Sequence, residues 1–315
     1  MIDTETLGLL RGSLREVLRA DGADVGAALL ELGWDDVVKD DPASATTCLF
    51  EVQGETLAVT SQLDAVAASA AGLPADTAFV WPYPAAGAGV PTATEGAGGL
   101  VVDGLTLTGV QGCGSMAVPT SEGLCVVDGS SLVAEAVDGI DPDARWSRIR
   151  GTAPTTAPEP AAWGPALAAA QRALASELVG VSAAMLALAT AHVTAREQFG
   201  RAIGSYQSVR HRLAEAHAFI AGARAAVQAS WEGLDDSAAP IAKAVAGRAH
   251  ADVARHCLQV CGAMGVSHEF DLHRFVRRGF ALDAVLGSHR QLARLHGQEL
   301  LDGRALVRLG NPVGT

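Results

Sequence analysis

Two arginines, Arg196 and Arg201, flank the aromatic–glycine pair Phe199–Gly200 in the stretch AREQFGRAIGSYQSVR, which interrupts one of the longest helix-like runs of the 315-residue chain. A guanidinium is a permanent, fork-shaped cation that matches anionic oxygens, and glycine admits backbone conformations closed to other residues. The corner therefore has the ingredients of an anion-binding turn. It equally fits a helix hairpin in which Arg196 caps the last carbonyls and Phe199 enters a core.

Other chemistry is poorly supplied. The histidines form no H-E-x-x-H pair, so no metal is expected. Ser115, Ser208 and Ser288 lie outside any G-x-S-x-G elbow. Gly87 and Gly89 sit in a glycine-rich segment without the strand-to-helix context of a phosphate loop. Five cysteines, Cys48, Cys113, Cys125, Cys257 and Cys261, are odd in number and lack a C-x-x-C pair, which predicts reduced, mostly buried thiols.

The corner gains specificity from two later motifs. The pattern R-x-Q-F-G-x-x-I-x-x-x-Q at Arg196, Gln198, Phe199, Gly200, Ile203 and Gln207 precedes LQVCGAMG by about 60 residues and RFVRRGFALDAVLGS by about 80. In that order and spacing, roughly residues 160–310 resemble the C-terminal bundle of the acyl-CoA dehydrogenase family. The resemblance implies an FAD held mainly by a neighbouring subunit, with its pyrophosphate and adenosine touched by Arg196, Gln198, Phe199, Gly200, Ile203 and Gln207. Arg196 would fork onto phosphate oxygens and Phe199 would pack beside the adenine. Gln259, Gly262, Ala263 and Gly265 fall on the family's Q-x-x-G-G-x-G turn, which receives the same cofactor from another angle; Ala263 replaces its second glycine. Ser288, ending the VLGS stretch, is the remaining cofactor position.

Dehydrogenation of an acyl thioester needs a carboxylate to take the α-proton while the flavin takes the β-hydride. The resemblance places that base either at Leu286, before the glycine of VLGS, or at Ala170, 26 residues before Arg196. Neither side chain accepts a proton, so no catalytic residue is expected. Gln171 follows Ala170, Arg172 stands one place late for the family pattern, and Glu177 lies two helical turns beyond Ala170. The family's T-E-P-x-A-G-S-D stretch and W-I/S-T turn, which grip the flavin ring, are absent from WPYPAAGAGV and TLTGVQGCGSMAVPTS.

These losses share one explanation: the chain resembles the shortened, non-base subunit of heteromeric, α2β2, actinobacterial steroid or sterol side-chain acyl-CoA dehydrogenases. The resemblance implies α,β-dehydrogenation of a bulky, steroid-derived CoA thioester by the complex, with this chain inactive alone. The implied partners are a second, longer acyl-CoA dehydrogenase subunit that supplies the base, the acyl-CoA substrate, and an electron-transfer flavoprotein or similar acceptor. Two alternatives stay open: a homomeric enzyme of the family with a displaced base, and a non-enzymatic scaffold or regulator that kept the bundle for assembly.

The elements that must position these residues are set by periodicity. Leu174, Leu178, Val181, Met185, Leu188 and His192 step by three and four, as do Val209, Leu213, Ala216, Ile220, Ala223 and Val227, predicting two bundle helices. A third is predicted from Asp236 or Ser237, with Pro240 in its first turn, and a fourth after the RRG at 277–279, reading HRQLARLHGQELLDGRALVRL. Upstream, residues 1–72 read as a reduced N-terminal helical region, 73–152 as a small antiparallel β-barrel or sandwich cut by glycine turns, 153–165 as a Pro/Thr/Ala linker, and 166–315 as a four-helix bundle. The expected class is α+β, mainly α.

Charge is uneven. Residues 1–160 carry 7 Lys+Arg against 23 Asp+Glu, and the remainder 16 against 12, so the net −12 is the sum of −16 and +4. Overall acidity argues against nucleic acid as a partner. Without an apolar run of about 18 residues, membrane insertion is not expected and the cytoplasm is the expected location.

Overall fold

The computed structural model describes residues 2–20, 24–84, 86–87, 89–108, 114–160, 162–232 and 236–303. Asp3 accepts hydrogen bonds from the backbone N–H groups of Glu5 and Thr6 and so starts helix α1 (Thr4–Arg19). Three further short helices lead to α5: α2 (Val25–Glu31), α3 (Trp34–Asp40) and α4 (Pro42–Thr56), then α5 (Gln62–Ala71) itself. Gly72, at φ +71°, ends α5 in the left-handed conformation that glycine adopts without a Cβ penalty.

The β region comes next, with strands β1 (Ala78–Phe79), β2 (Ala93–Gly96), β3 (Gly99–Thr106), β4 (Ser115–Thr120), β5 (Gly123–Asp128), β6 (Leu132–Ala136) and β7 (Ser147–Ala153). They form two sheets, β1-β4-β5 and β2-β3-β7-β6, joined where Trp81 and Leu105 bridge. Leu100, Val102, Met116, Val118, Cys125, Val127 and Ile149 alternate inward to make a core between them. One pairing departs from the antiparallel expectation: β1 runs parallel to β4, because the chain returns to it only after β2 and β3 have been laid down. The 153–165 segment also differs from a free linker, since Glu159 exchanges two backbone hydrogen bonds with Leu124 and pins it to β5.

Helix α6 (Trp163–Ala195) is the axis of the molecule. By length and composition it could cross a membrane, but its polar residues Gln171, Arg172, Ser176, Glu177 and Ser182 are buried against other elements of this chain. After α6 come a small hairpin of β8 (Glu197–Gln198) and β9 (Arg201–Ala202), then α7 (Gln207–Trp231), α8 (Ala238–Cys261), α9 (Leu272–Ala284) and α10 (His289–Leu301). The RRG at 277–279 lies inside α9, a helix that the sequence pattern did not reveal. Gly279 looks like a stop signal but is used for packing: a Cβ there would stand 2.0 Å from the His250 ring of α8. The expected fourth helix is α10, and its expected continuation over 304–309 lies outside the described residues.

The N-terminal helices share one apolar core with α6 to α9. Where α4 crosses α6 the two backbones touch: a Cβ on Gly180 would meet the Glu51 carbonyl oxygen at 2.0 Å, and one on Gly54 would meet that of Glu177 at 2.2 Å. Glu51 lies beside this crossing, clamped by Arg11 of α1 and by Arg224 Nε of α7 at 2.8 Å. Of the five cysteines, Cys48, Cys125, Cys257 and Cys261 are buried free thiols; Cys113 lies outside the described residues.

Candidate functional site

The cationic corner is a β-hairpin, not a helix hairpin. Helix α6 stops when the Arg196 N–H bonds the His192 carbonyl, and the chain reverses through Glu197↔Ala202 and Gln198↔Arg201. Phe199 and Gly200 form the two-residue loop, at φ +55° and +80°; positive φ at both positions is the mark of a type I′ turn. The Phe199 ring is 93% exposed, so it enters no core of this chain. The Ile203 N–H bonds the Arg196 carbonyl at 2.8 Å and the Tyr206 hydroxyl donates to the Gln198 carbonyl at 3.3 Å, which fixes the base of the hairpin. Arg201 lies 4.0 Å over the Tyr206 ring. Arg196 is exposed and pairs with no acid among the described residues, while Gln207 opens α7 on the surface.

The second motif lies at the same end of the bundle. Gln259, Gly262 and Ala263 stand at the C-terminus of α8, where Gly262 takes φ +59° and, like Ala263, is exposed. His192, four residues before Arg196, packs against Phe270 at 5.5 Å, which ties the end of α6 to the segment after Gly265.

Ser288 and the two vacant base positions are elsewhere. Gln171 of α6 donates from Nε2 to the Leu286 carbonyl at 3.1 Å, so Ala170 and Leu286 are brought to one place. From Gln171 to Arg196 is 25 residues of nearly continuous helix, about 37 Å at the helical rise of about 1.5 Å per residue. The corner and the base turn of a single chain therefore cannot meet. Ser288 belongs to the base-turn end, where it caps α10 in a reciprocal box with Gln291.

The base turn is held more firmly than its lack of a base requires. Lys243, fully buried on α8, donates to the Asp283 and Gly287 carbonyls at 2.9 and 2.8 Å. Burial lowers its pKa to about 8. The Asp283 carboxylate takes the His289 N–H at 2.9 Å and faces His289 Nδ1 at 2.8 Å. Leu286 is held between them at φ +53°, with its side chain 1% exposed. The role of Lys243 was not read from the sequence, although a lysine inside the apolar run IAKAVAG was a signal that it had a buried acceptor.

Glu177, at the seam between the helices and the β region, is a carboxylate whose ionisation suits a base. Burial raises its pKa to about 7, against the opposing pull of Arg278. Its Oε2 accepts from Gln53 Nε2 at 3.0 Å, and Arg278 Nη1 stands 3.9 Å from its Oε1. Arg278 is paired with Asp141 of the β6–β7 connection and also reaches the Leu57 and Ala58 carbonyls beyond α4. The cleft that these groups share with Leu107 and Trp146 has a volume of about 40 Å³. That is room for water, not for a flavin ring or an acyl chain.

Residues 166–295 match the family model described as acyl-CoA dehydrogenase, C-terminal domain. The acyl-CoA dehydrogenase IpdE2 of Mycobacterium tuberculosis is 31% identical over 162 residues, covering 51% of this chain and 50% of that protein. The chain thus spans about half the length of this curated relative in the matched region. Among solved structures, the ChsE4–ChsE5 complex from Mycobacterium tuberculosis superposes with a TM-score of 0.75 at 18% identity, over 96% of this chain and 99% of the other. A variant of the Tcur3481–Tcur3483 steroid ACAD gives 0.74 at 22%, over 95% and 98%. At such identities the superpositions show a shared fold across nearly the whole chain.

Proposed function

From the match of residues 166–295 to the acyl-CoA dehydrogenase C-terminal domain, we propose that this chain is the non-base subunit of a heteromeric, FAD-dependent acyl-CoA dehydrogenase. Its Arg196 corner completes a flavin site whose ring pocket and catalytic carboxylate belong to a partner subunit. The observation that carries this reading is the separation of about 37 Å between the exposed corner and the chain's own base turn, where Leu286 and Ala170 stand. A corner so placed cannot reach that turn within one chain, which supports a site completed by another subunit, and the lack of a carboxylate at both base positions favours a different chain over a second copy. The filled seam supports the same conclusion, since about 40 Å³ beside Glu177 leaves no space for a ring.

Bound FAD would supply hydride acceptance at the β-carbon of a CoA thioester. This chain's share is binding and orientation. Arg196 offers an exposed guanidinium to phosphate oxygens, the exposed Phe199 ring offers a flat apolar face, and Gly200 keeps the turn free of a side chain. Gln259 and the exposed backbone at Gly262 and Ala263 offer polar contacts from the same end of the bundle. No proton is moved by Leu286 or Ala170, so the α-proton goes to a partner carboxylate.

The displaced-base alternative has one observation in its favour, the near-neutral pKa of Glu177. The volume of its cleft and the Gln53 and Arg278 contacts on its carboxylate weigh against it. A bulky, steroid-derived thioester is the proposed substrate class, supported by the steroid ACAD among the structural neighbours. An electron-transfer flavoprotein or similar acceptor is the proposed oxidant of the reduced flavin.

Co-expression with a longer acyl-CoA dehydrogenase subunit tests the proposal. The expected result is a complex that retains FAD and oxidises a bulky acyl-CoA, while this chain alone is colourless and inactive. A yellow, active enzyme from this chain alone would overturn it.

A further inference from the structure

The cleft beside Glu177 contains a hydrogen-bonding mismatch that the flavin reading does not touch. Arg278 and Glu177 are each 3% exposed. Arg278 spends Nε on Asp141 and Nη1 on the Leu57 and Ala58 carbonyls, yet its buried Nη2 has no hydrogen-bond partner among the described residues. Glu177 gives Oε2 to Gln53, and its Oε1 stands 3.9 Å from Arg278 Nη1, beyond hydrogen-bond reach. The neighbouring polar groups are already committed, because the Thr60 hydroxyl donates to Gln53 Oε1 at 2.6 Å. Arg278, with a buried donor left unpaired, and Glu177, with a carboxylate oxygen that no protein donor reaches among the described residues, line the same small space, and leaving the donor unsatisfied is costly.

We propose that this cleft is a hydration site, in which bound water bridges the Arg278 guanidinium and the Glu177 carboxylate. Volume selects the ligand: about 40 Å³ is available, and a water needs roughly 10–15 Å³ by this kind of measure. Charge selects it as well. An anion would face Glu177, a cation would face Arg278, and an apolar molecule would leave both groups unsatisfied. Water accepts from Nη2 and donates to the carboxylate, closing a polar junction that joins α4, α6, α9 and the β6–β7 connection. The site is polar, enclosed on several sides by Leu63, Leu174 and Leu282, and independent of any cofactor.

Two measurements on the full chain test this. A crystal structure of the wild-type protein is expected to show water density within hydrogen-bond distance of Arg278 Nη2 and Glu177 Oε1. In solution, rotating-frame NOEs are expected between water and the methyl groups of Leu174 and Leu282. These NOEs should persist in Glu177→Gln and vanish in Glu177→Leu, which removes the acceptor and fills the space. An empty cleft, entry of xenon under pressure, or a direct Glu177–Arg278 contact in place of water would overturn the proposal. The wild-type observations decide even if Glu177→Leu does not fold.

Discussion

At the scale of single residues, Phe199 departs furthest from what folding alone would select. A non-glycine residue in the left-handed region costs on the order of 1 kcal/mol or more, and with its ring 93% exposed it recovers no burial on this chain. Asparagine tolerates the same conformation and is a preferred type I′ residue. Phe199→Asn is therefore expected to leave thermal stability equal or up to about 1 kcal/mol higher, while lowering the flavin-to-protein ratio of the co-expressed complex. Arg196→Ala should likewise leave the circular dichroism of the chain unchanged. It should weaken flavin retention in the complex by about 1.5–3 kcal/mol, the range of a charge-assisted hydrogen bond; unchanged retention would reduce the corner to a structural hairpin. Leu286→Glu probes the opposite end. Its side chain would bring a charge into a buried site fixed by Gln171 and Lys243, so the expectation is no turnover and a loss of about 3 kcal/mol or more in denaturant unfolding at neutral pH.

At the scale of elements, the seam between the helices and the β region makes a pH-dependent prediction. Burial raises the pKa of Glu177 to about 7 from its ordinary value of 4.5. A carboxyl whose folded pKa is raised favours the folded state most below its unfolded pKa, and that contribution is lost as pH rises through about 7. Glu177→Gln removes the titration, so relative to wild type it should gain stability progressively from about pH 4.5 to about pH 7. Urea midpoints at intervals across that range measure it; a difference independent of pH would show that folding leaves the Glu177 pKa unshifted. The seam also shows why the sequence pattern went only part of the way. The three-and-four spacing from Leu174 to His192 and from Val209 to Val227 was sufficient to find α6 and α7, because one apolar face per helix leaves a local signature. Helix α9 left a misleading one: Gly279 reads as a terminator but serves contact with His250. The pairing of Arg278 with Asp141, 137 residues apart, has no local signature at all. The corner motif was legible because its residues are adjacent in sequence, whereas its distance from the base turn became visible only once Gln171 was seen to touch Leu286.

At the scale of the whole molecule, the two ends of α6 present different chemistry. One end closes on a rigid turn without a base. The other carries Arg196 and Phe199 on the surface, beside an open groove of about 600 Å³ between α6 and α7, lined by Leu186, Val193, Leu213 and His217. An apolar groove next to an exposed cation suits contact with another subunit better than open solvent. If the groove and corner form one interface, a partner must cover both, and an α2β2 assembly would do so twice by symmetry. That coupling is open to a direct test. Leu213→Glu places a charge in the groove without altering the corner, so it should lower the yield of heteromer in sizing experiments and reduce bound flavin in the same proportion. Arg196→Ala should reduce flavin while leaving the heteromer intact. The opposite pattern, with assembly indifferent to Leu213 and flavin lost only through Arg196, would separate the groove from the interface and leave the corner reaching its partner by another face.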